Sequence, residues 1–473
     1  MKNVSRILIA LAVLAAAHMA AHAGGPWGVY NGAPIRYNAP STVVLNYDLG
    51  ALGSRTKAQA DALISESVAL WTNVPTATVT FSRGADLPVD VTTGNYTTYF
   101  GTLNSSVNSD GLNPVVYDSD GSIIDTFFGT GAKNSLLGFA GSSYTFSGGT
   151  ARYTEGRALI NGFRSVTDTT LKVVIAHEMG HMIGIDHSQI DSVQGLASSN
   201  YPLMYPIANR GSVSLHEDDV FAVSALYPDA SVASTFGTLS GTFTQANGTP
   251  IRGANLWVRE SSTAKFYSNV SDYLEQTTGY FSFLLPPGTY TMHAQAIKTS
   301  FTGGSGVGPY SNLASDPSFQ PPMYVGGVAM APVTLGNGSP ANVTIVAGCA
   351  ATVNFKFDGT GTVGGNCDNI PGAPTGVSIV AGAGSVTVTF TPPANAASTG
   401  VTSYTATCTA AGQTTHTASG SGSPITVAGL KGGVAYSCTV VASNATMTGA
   451  ASVAVSVQPR TVDLTPILML LLD

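Results

Sequence analysis

Three histidines and one glutamate lie close together near the middle of the chain, at a spacing suited to holding a metal ion. On a helix, His177 and His181 are four residues apart, so their imidazoles project from one face, and Glu178 lies beside them. His187 follows six residues after His181, where a continuous helix would turn it away from that face. The chain must therefore leave the helix, and Gly184 stands where the break is needed, because glycine enters the left-handed region at little cost.

Three neutral imidazoles and one open coordination position are typical of a catalytic zinc site, because structural zinc sites usually fill all four positions with protein ligands. Zinc lowers the pKa of its bound water to about 7. Glu178 would accept a proton from this water as general base and pass it to a leaving amine. A core helix with hydrogen-bonded histidines is the alternative, but three of the six histidines after residue 23 belong to this motif, which favours one catalytic zinc.

The stretch 177–187 and the residues after it resemble the metzincin peptidases, and most closely the matrixin branch. Ser188 directly follows the third histidine, as in matrixins, and the run LMYP at 203–206 resembles the family's Met-turn. The resemblance covers roughly residues 25–229 and implies an α+β catalytic domain with a mixed sheet and three helices. It also implies that Met204 forms an apolar floor beneath the zinc.

The same resemblance places substrate-binding groups around the metal. Tyr205 and Pro206 would wall the pocket for the substrate side chain that follows the scissile bond. Residues 136–140, LLGFA, occupy the place of the edge strand on which an extended substrate would pair through main-chain hydrogen bonds. Asp218 or Asp219 would pair with the N-terminal ammonium of the processed chain.

Other residues of the chain bear on whether it holds a second zinc or a calcium ion. The structural zinc of matrixins is not expected, because no histidine lies between His22 and His177. Asp118, Asp120 and Asp125 offer oxygen ligands around a glycine turn, which suits calcium. The full twelve-residue loop with a terminal glutamate is missing, so a solvated hairpin capped by these aspartates is the alternative.

Hydrophobic periodicity predicts the elements that position the site. Strands are predicted at 42–48, 77–81 and 89–93. Helices are predicted at 56–72, through Leu171 to Ile183, and at Glu217–Leu226. Thr167 or Asp168 is a suitable N-cap for the helix that carries His177 and His181.

Beyond residue 230, short strands alternate with Gly, Pro and Asn turns, which predicts all-β sandwich domains. Residues 230–362 resemble the carboxypeptidase-regulatory-like fold through the runs LSGT at 239, PIRGANL at 250, TGYFSF at 278 and PPGTYT at 286. Residues 371–459 resemble a fibronectin type III domain. We expect both sandwiches to be accessory, so that a chain ending near Asp229 would keep its activity.

All four cysteines lie after residue 348, which fits an exported protein with two disulfides. Cys349 and Cys367 bracket a glycine-rich join between the sandwiches and are expected to pair. Cys408 and Cys438 would lie in neighbouring strands of the fibronectin-like sheet and pair in turn. A zinc site is the alternative, but no paired C-x-x-C accompanies these cysteines.

The first 23 residues have the features of a secretory signal peptide: Lys2 and Arg6, an apolar run at 7–17 and small residues at 21–23. This run and the apolar tail within 460–473 are shorter than the about 20 residues that a membrane span requires. The tail is interpreted as a last strand or a disordered end, with a sorting signal as the alternative. A formal net charge of −7 argues against nucleic acid as a partner.

Together these features predict a secreted, monomeric zinc endopeptidase that hydrolyses extracellular proteins and binds matrix or glycan through its sandwiches. Its predicted parts are a signal peptide (1–23), a catalytic domain (24–229), two sandwiches (230–362 and 371–459) and a tail (460–473). The main alternative is a non-catalytic surface adhesin whose first domain is a vestige, against which the intact Glu178 speaks. An amidase or cell-wall peptidase is the weaker alternative.

Overall fold

The computed structural model describes residues 6–7, 26–101, 110–207, 210–296, 324–325, 328–329, 333–336, 342–365, 367–445 and 447–461. Most of the predicted signal peptide and most of the predicted tail lie outside these residues. Backbone contacts divide the chain into two compact units, Met1–Gly364 and Gly365–Asp473. In the described ranges, no helix is both long enough and apolar enough to cross a membrane.

The first part of the first unit is an α+β fold built on one mixed sheet. The strands of this part are β1 (Arg6–Ile7), β2 (Val29–Tyr30), β3 (Ala33–Pro34), β4 (Ser41–Tyr47), β5 (Val79–Arg83), β6 (Asn113–Asp118), β7 (Gly138–Ser147) and β8 (Thr150–Asn161). Strands β2 and β3 pair with each other outside the mixed sheet. The helices of this part are α1 (Lys57–Thr72), α2 (Tyr96–Tyr99), α3 (Ser122–Phe128), α4 (Asp168–Met182), α5 (Glu217–Leu226) and α6 (Val232–Thr235). The three predicted helices are α1, α4 and α5, and the other three are shorter.

The sheet has the strand order β1-β7-β8-β6-β4-β5. Strands β8, β6, β4 and β5 run parallel, and β7 is antiparallel to β8. Alternate side chains of β6 enter different cores: Val115 and Tyr117 pack with α1 and α4, whereas Val116 packs with Phe127 of α3. Helices therefore cover both faces of the sheet, as buried parallel strands require.

Helix α4, which carries the first two histidines, is held in place by its cap and by α1. The Thr167 side chain accepts a hydrogen bond from the backbone N–H of Thr170, so the predicted N-cap is confirmed. The fully buried Trp71 of α1 donates its indole N–H to the carbonyl oxygen of Ala176 at 2.8 Å. This bond fixes α4 against α1 one residue before His177.

The strand predicted at 89–93 is wrong, because these residues form turns and bends. The backbone N–H of Val91 donates to Oδ1 of Asp48 at 3.0 Å, and the same carboxylate accepts from Gly50 and Tyr117. A buried carboxylate therefore satisfies this segment in place of a strand ladder. The alternating hydrophobicity reflects a loop whose Val91 side chain packs into the core beside α3.

The second part of the first unit is a β-sandwich. Its strands are β9 (Gly237–Thr244), β10 (Asn255–Glu260), β11 (Phe266–Val270), β12 (Tyr280–Leu285), β13 (Gly288–Gln295), β14 (Tyr324–Val325), β15 (Val328–Ala329), β16 (Val333–Thr334), β17 (Val343–Ile345), β18 (Ala350–Lys356) and β19 (Gly361–Gly365). One sheet has the order β11-β10-β13-β16, with β17 also on β13, and the other has the order β12-β9-β18-β19. Buried and partly exposed residues alternate along β9 and β12, as expected for sheets with one face in a core.

This sandwich packs directly on the α+β part of the unit, through apolar side chains. Phe221 of α5 stacks on Phe283 of β12 with ring centroids 6.0 Å apart. Ile190, three residues after the third histidine, is fully buried in a cluster with Trp257 and Phe266 of the sandwich. The sandwich that follows residue 229 is therefore docked on the first part of the unit.

A buried carboxylate of α5 crosses the same contact. Asp218 accepts hydrogen bonds from the backbone N–H and the hydroxyl of Ser268 in β11, at 2.6 and 3.1 Å. It also accepts a hydrogen bond from the hydroxyl of Ser188 at 2.5 Å. Asp218 thus links the residue after His187 to the sandwich, and the expected pairing of Asp218 or Asp219 with a processed N-terminus stays a prediction. Gly24 itself lies outside the described residues.

The second unit is a seven-stranded sandwich. Its strands are β20 (Thr375–Gly382), β21 (Ser385–Thr391), β22 (Ser403–Thr409), β23 (His416–Gly420), β24 (Ile425–Ala428), β25 (Tyr436–Ser443) and β26 (Val455–Val457), in sheets β20-β21-β24 and β23-β22-β25-β26. Cys408 and Cys438 face each other on β22 and β25 and form the predicted disulfide. Cys349 and Cys367 are also disulfide-bonded, which excludes the alternative of a cysteine zinc site.

We predict that a chain ending at Asp229 is much less stable than one that keeps the docked sandwich. Truncation would expose Ile190 and Phe221 and remove the Ser268 donors from Asp218, which together should cost about 3 kcal/mol or more. Thermal unfolding would be compared with that of a control chain ending at Ile370, which keeps both Cys349 and Cys367. Equal unfolding temperatures for the catalytic part in the two chains would contradict this account of the contact.

Candidate metal centre

The three predicted ligands meet at one point. The Nε2 atom of His181 lies 3.0 Å from Nε2 of His177 and 3.1 Å from Nε2 of His187, and the remaining pair is 3.3 Å apart. Tetrahedral ligands at about 2.0–2.1 Å from zinc would have nitrogens about 3.3 Å apart. Over the described residues, this is the one group of three or more His, Cys, Asp or Glu side chains that could hold a metal ion.

Backbone carbonyls determine which nitrogen of each helical histidine carries the proton. His177 Nδ1 lies 2.8 Å from the carbonyl oxygen of Leu203, and His181 Nδ1 lies 2.8 Å from that of Ile185. A carbonyl oxygen only accepts, so Nδ1 carries the proton and Nε2 presents a lone pair. Burial lowers the pKa of both imidazoles, which favours the neutral form. Lone pairs facing at 3.0 Å repel unless a cation lies between them, so this donor set fits Zn²⁺.

The chain turns back at Gly184 to bring in the third histidine. Helix α4 ends at Met182, and Gly184 adopts a φ of +89°. A Cβ at this position would lie 2.6 Å from a ring carbon of Tyr153. Both the left-handed backbone and the close approach of Tyr153 therefore require glycine here.

Glu178 lies beside the histidines on α4 and against the first residues of β7. The backbone N–H of Ala140 donates to its carboxylate, and burial raises the pKa of Glu178 to about 8. A bound cation would lower that pKa again, which would favour the ionised form. A Cβ at Gly138 would come within 2.8 Å of Glu178 Cγ and 3.1 Å of its Oε1. Gly138 thus leaves the space that the glutamate side chain occupies.

Met204 packs beneath the histidine helix. It is fully buried, and a Cβ at Gly180, between the two helical histidines, would lie 2.4 Å from its sulfur. The Met204 carbonyl oxygen accepts a hydrogen bond from the backbone N–H of Ser188 at 2.9 Å. The structure thus brings Met204 together with the segments that carry all three histidines.

Asp219 organises this turn in a way that the sequence did not reveal. Its Oδ2 accepts from the backbone N–H groups of Leu203 and His216 at 2.8 and 2.7 Å, and its Oδ1 accepts from Met204 at 3.0 Å. The carboxylate therefore caps α5 and fixes the turn whose Leu203 carbonyl orients His177. Its place at the third position of a helix was the available signal, since acidic residues there often form capping boxes.

Trp27 was also missed. It is 4% exposed, and its ring meets that of His181 edge-on with centroids 4.3 Å apart. The Trp27 backbone N–H donates to the carbonyl oxygen of Gly184 at 2.6 Å. The segment at the start of the described catalytic domain therefore shields one ligand from water, although nothing in its local sequence pointed to the metal.

A cavity of about 380 Å³ opens beside the histidines and the glutamate. Its lining includes His177, Glu178, Leu136, Leu137, Gly138, Val173, Val174, Leu203, Pro206, Ile207 and Arg210. Pro206 thus lines this cavity, and the ring of Tyr205 packs on Tyr201 with centroids 4.6 Å apart. That both residues wall the pocket for the substrate side chain after the scissile bond stays a prediction. Arg210 was not singled out from the sequence.

The carboxylates of the predicted calcium cluster are engaged by backbone amides. Asp118 accepts from Ile123 and Ile124, Asp120 from Ser122, and Asp125 from Gly131 and Lys133. Such contacts are those expected of the alternative, a hairpin capped by its aspartates. Among the described residues, these three aspartates do not form a group that could hold a metal ion. Calcium binding at Asp118, Asp120 and Asp125 stays a prediction without structural support.

Two family models match parts of the chain. The model described as Matrixin matches residues 117–228, which contain the three histidines, the Met204 turn and α5. The model described as Fibronectin type III domain matches residues 372–458. Helix α1 and strands β4 and β5 precede the matrixin match but belong to the same sheet and core. No curated protein matches the chain.

Some solved structures are similar to this chain over a small part of it. A myokine structure is 18% identical and covers 19% of this chain and 99% of its own, with a TM-score of 0.17. The FN5 domain of Drosophila Lar is 21% identical and covers 20% of this chain and 99% of its own, with a TM-score of 0.17. The fibronectin type III domain of human fibronectin type III domain containing protein 3 is 21% identical. It covers 20% of this chain and 91% of its own, with a TM-score of 0.18.

Likenesses at such TM-scores carry no inference about this chain, and the resemblance of residues 230–362 to the carboxypeptidase-regulatory-like fold stays a prediction. The two family matches show that the chain contains a matrixin domain and, after it, a fibronectin type III domain.

Proposed function

We propose that the chain is a secreted zinc endopeptidase. The observation that carries the proposal is the convergence of three imidazole Nε2 atoms at 3.0–3.3 Å beside the buried carboxylate of Glu178. A matrixin domain supports zinc peptidase chemistry in the same residues. His177, His181 and His187 would hold the metal, which supplies a Lewis acid for the scissile carbonyl and an acidified water.

Glu178 performs the proton transfers in this proposal. The Ala140 N–H holds its carboxylate towards the cavity while leaving further oxygen lone pairs for the proton of the attacking water. Glu178 then returns this proton to the amine that leaves. Between these two transfers Glu178 is protonated. Burial favours this state, because it disfavours the charged carboxylate.

Strand β7 is suited to present an extended peptide to this centre. Among the described residues, β7 has a strand partner on its outer side at Ser143 and Tyr144 alone. Its first residues, from Gly138, lie beside Glu178. A peptide that adds to this edge by main-chain hydrogen bonds would pass the catalytic carboxylate, which favours a protein or peptide substrate.

Export rests on the leader-like residues 1–23 and on the four cysteines, all of which are disulfide-bonded, as in oxidising compartments. The adhesin alternative requires no buried base beside a metal centre, so the contacts of Glu178 speak for catalysis. Matrix or glycan binding by the sandwiches and a monomeric state stay predictions, as does calcium binding.

We predict that Glu178→Ala keeps zinc but lowers kcat for peptide hydrolysis by at least about 100-fold, the range that general acid–base catalysis contributes. Zinc content and hydrolysis of casein or a quenched peptide would be measured on the full chain. Glu66→Gln is the matched control, because Glu66 is 58% exposed and pairs with Lys172 on the surface. Chelation should abolish the parent's activity, and added zinc should restore it. Parent-like hydrolysis by Glu178→Ala would refute the proposed chemistry.

We predict that Gly138→Ala lowers kcat about tenfold while zinc stays bound, because the new methyl group would displace Glu178 and none of its three nearest atoms belongs to a histidine. The measurement pairs zinc content with steady-state kinetics. Gly94→Ala is the control, because its Cβ would meet its nearest neighbour, Thr92 Oγ1, at an ordinary 3.6 Å. An unchanged kcat in Gly138→Ala would show that the space beside Glu178 is not needed.

A further inference from the structure

A buried cation lines the cavity beside the metal centre. The side chain of Arg210 is 6% exposed, and it shares the lining with His177 and Glu178. Burying a guanidinium group is costly unless its N–H groups find acceptors. The partners of Arg210 therefore indicate what the cavity is built to receive.

The hydrogen bonds of Arg210 are incomplete. Its Nη2 donates to the hydroxyl of Ser214 at 3.1 Å. Its Nε and Nη1 are buried and have no hydrogen-bond partner within the described residues. A guanidinium presents five N–H donors in a planar fork that matches a carboxylate in two parallel bonds.

The nearest carboxylate does not fill this need. Asp219 Oδ2 lies 3.8 Å from Arg210 Nη1, beyond hydrogen-bond distance. That oxygen already accepts from the backbone N–H groups of Leu203 and His216. Asp219 therefore offsets part of the positive charge but leaves donors of Arg210 without an acceptor, which an occupant of the cavity can supply.

The other residues that line the cavity indicate what the remainder of the bound side chain is like. Apolar side chains line the cavity, among them Leu136, Val173, Val174 and Pro206. A side chain with an aliphatic stem would bury this stem against them and bring a terminal group to the guanidinium. Among the standard residues, glutamate combines such a stem with a carboxylate.

We propose that Arg210 makes this cavity selective for a substrate side chain that ends in a carboxylate, glutamate above all, next to the scissile bond. The inference rests on the proposed peptidase function and names its substrate class. Charge alone would not give this selectivity, because Asp219 offsets part of the positive charge of Arg210. The Nε and Nη1 donors of Arg210, which have no partner within the described residues, give the selectivity. A site built for a hydrogen-bonding group rejects analogues that lack this group.

The test begins with the zinc-loaded full chain and a proteome-derived peptide library, with cleavage sites read by mass spectrometry. We expect glutamate to be enriched at one position next to the cut. Matched quenched peptides with Glu or Leu at that position then give a ratio of kcat/KM values. We expect this ratio to fall about tenfold or more in Arg210→Gln.

Two further variants separate recognition from structure. Arg210→Lys keeps the charge but loses the planar fork, so its Glu to Leu ratio should lie between those of the parent and Arg210→Gln. Arg460→Gln, directly after the fibronectin type III domain, removes an exposed arginine and should keep the parent's ratio. A purely structural role of Arg210 would lower both kcat/KM values together and leave the ratio unchanged, which would overturn the inference.

The outcomes distinguish this inference from the proposed function. Cleavage with apolar residues enriched and glutamate excluded would overturn the role of Arg210 while the peptidase function stands. A zinc-loaded chain that cleaves no peptide would overturn the proposed function and this inference with it. If Arg210→Gln does not fold, the parent's library and the Arg210→Lys ratio still decide.

Discussion

Three imidazole nitrogens with their lone pairs directed at one another, 3.0–3.3 Å apart, form an arrangement that is favourable only around a cation. The fold holds them there with contacts that are individually modest. Trp71 fixes the helix, the carbonyl oxygens of Leu203 and Ile185 orient two rings, and the left-handed Gly184 returns the chain. The nitrogens face one another only in the folded chain, so a metal that relieves their repulsion stabilises the folded state. Metal binding and folding should therefore be coupled.

Two consecutive carboxylates of α5 extend this support in different directions. Asp219 fixes the Met204 turn, whereas Asp218 joins Ser188, directly after the last ligand, to Ser268 of the following sandwich. The sandwich that begins at Gly237 is thus hydrogen-bonded, through Asp218, to the residue that follows the last ligand, and its accessory role in catalysis stays a prediction. The fibronectin type III domain forms a compact unit by itself.

Local patterns predicted the parts of the site that are close in sequence. The spacing of the histidines, the need for Gly184 and the capped helix at Thr167 follow from helix geometry, and the structure contains all of them. Contacts between distant segments, such as Trp27 on His181, could not be predicted, because pairing over long separations leaves no periodic signal in the sequence. Residues 89–93 show the reverse error, since a loop in which Val91 is buried, and whose backbone is bound by the Asp48 carboxylate, imitates the alternation of a strand.

X-ray absorption at the zinc edge of the metal-loaded full chain tests the central claim most directly, because it counts the metal's ligands without relying on activity. The account predicts three imidazole nitrogens and one further light atom, all at about 2.0–2.1 Å. Fewer than three imidazoles, or sulfur scattering at about 2.3 Å, would contradict it, since the cysteines are all in disulfides and Met204 serves as packing.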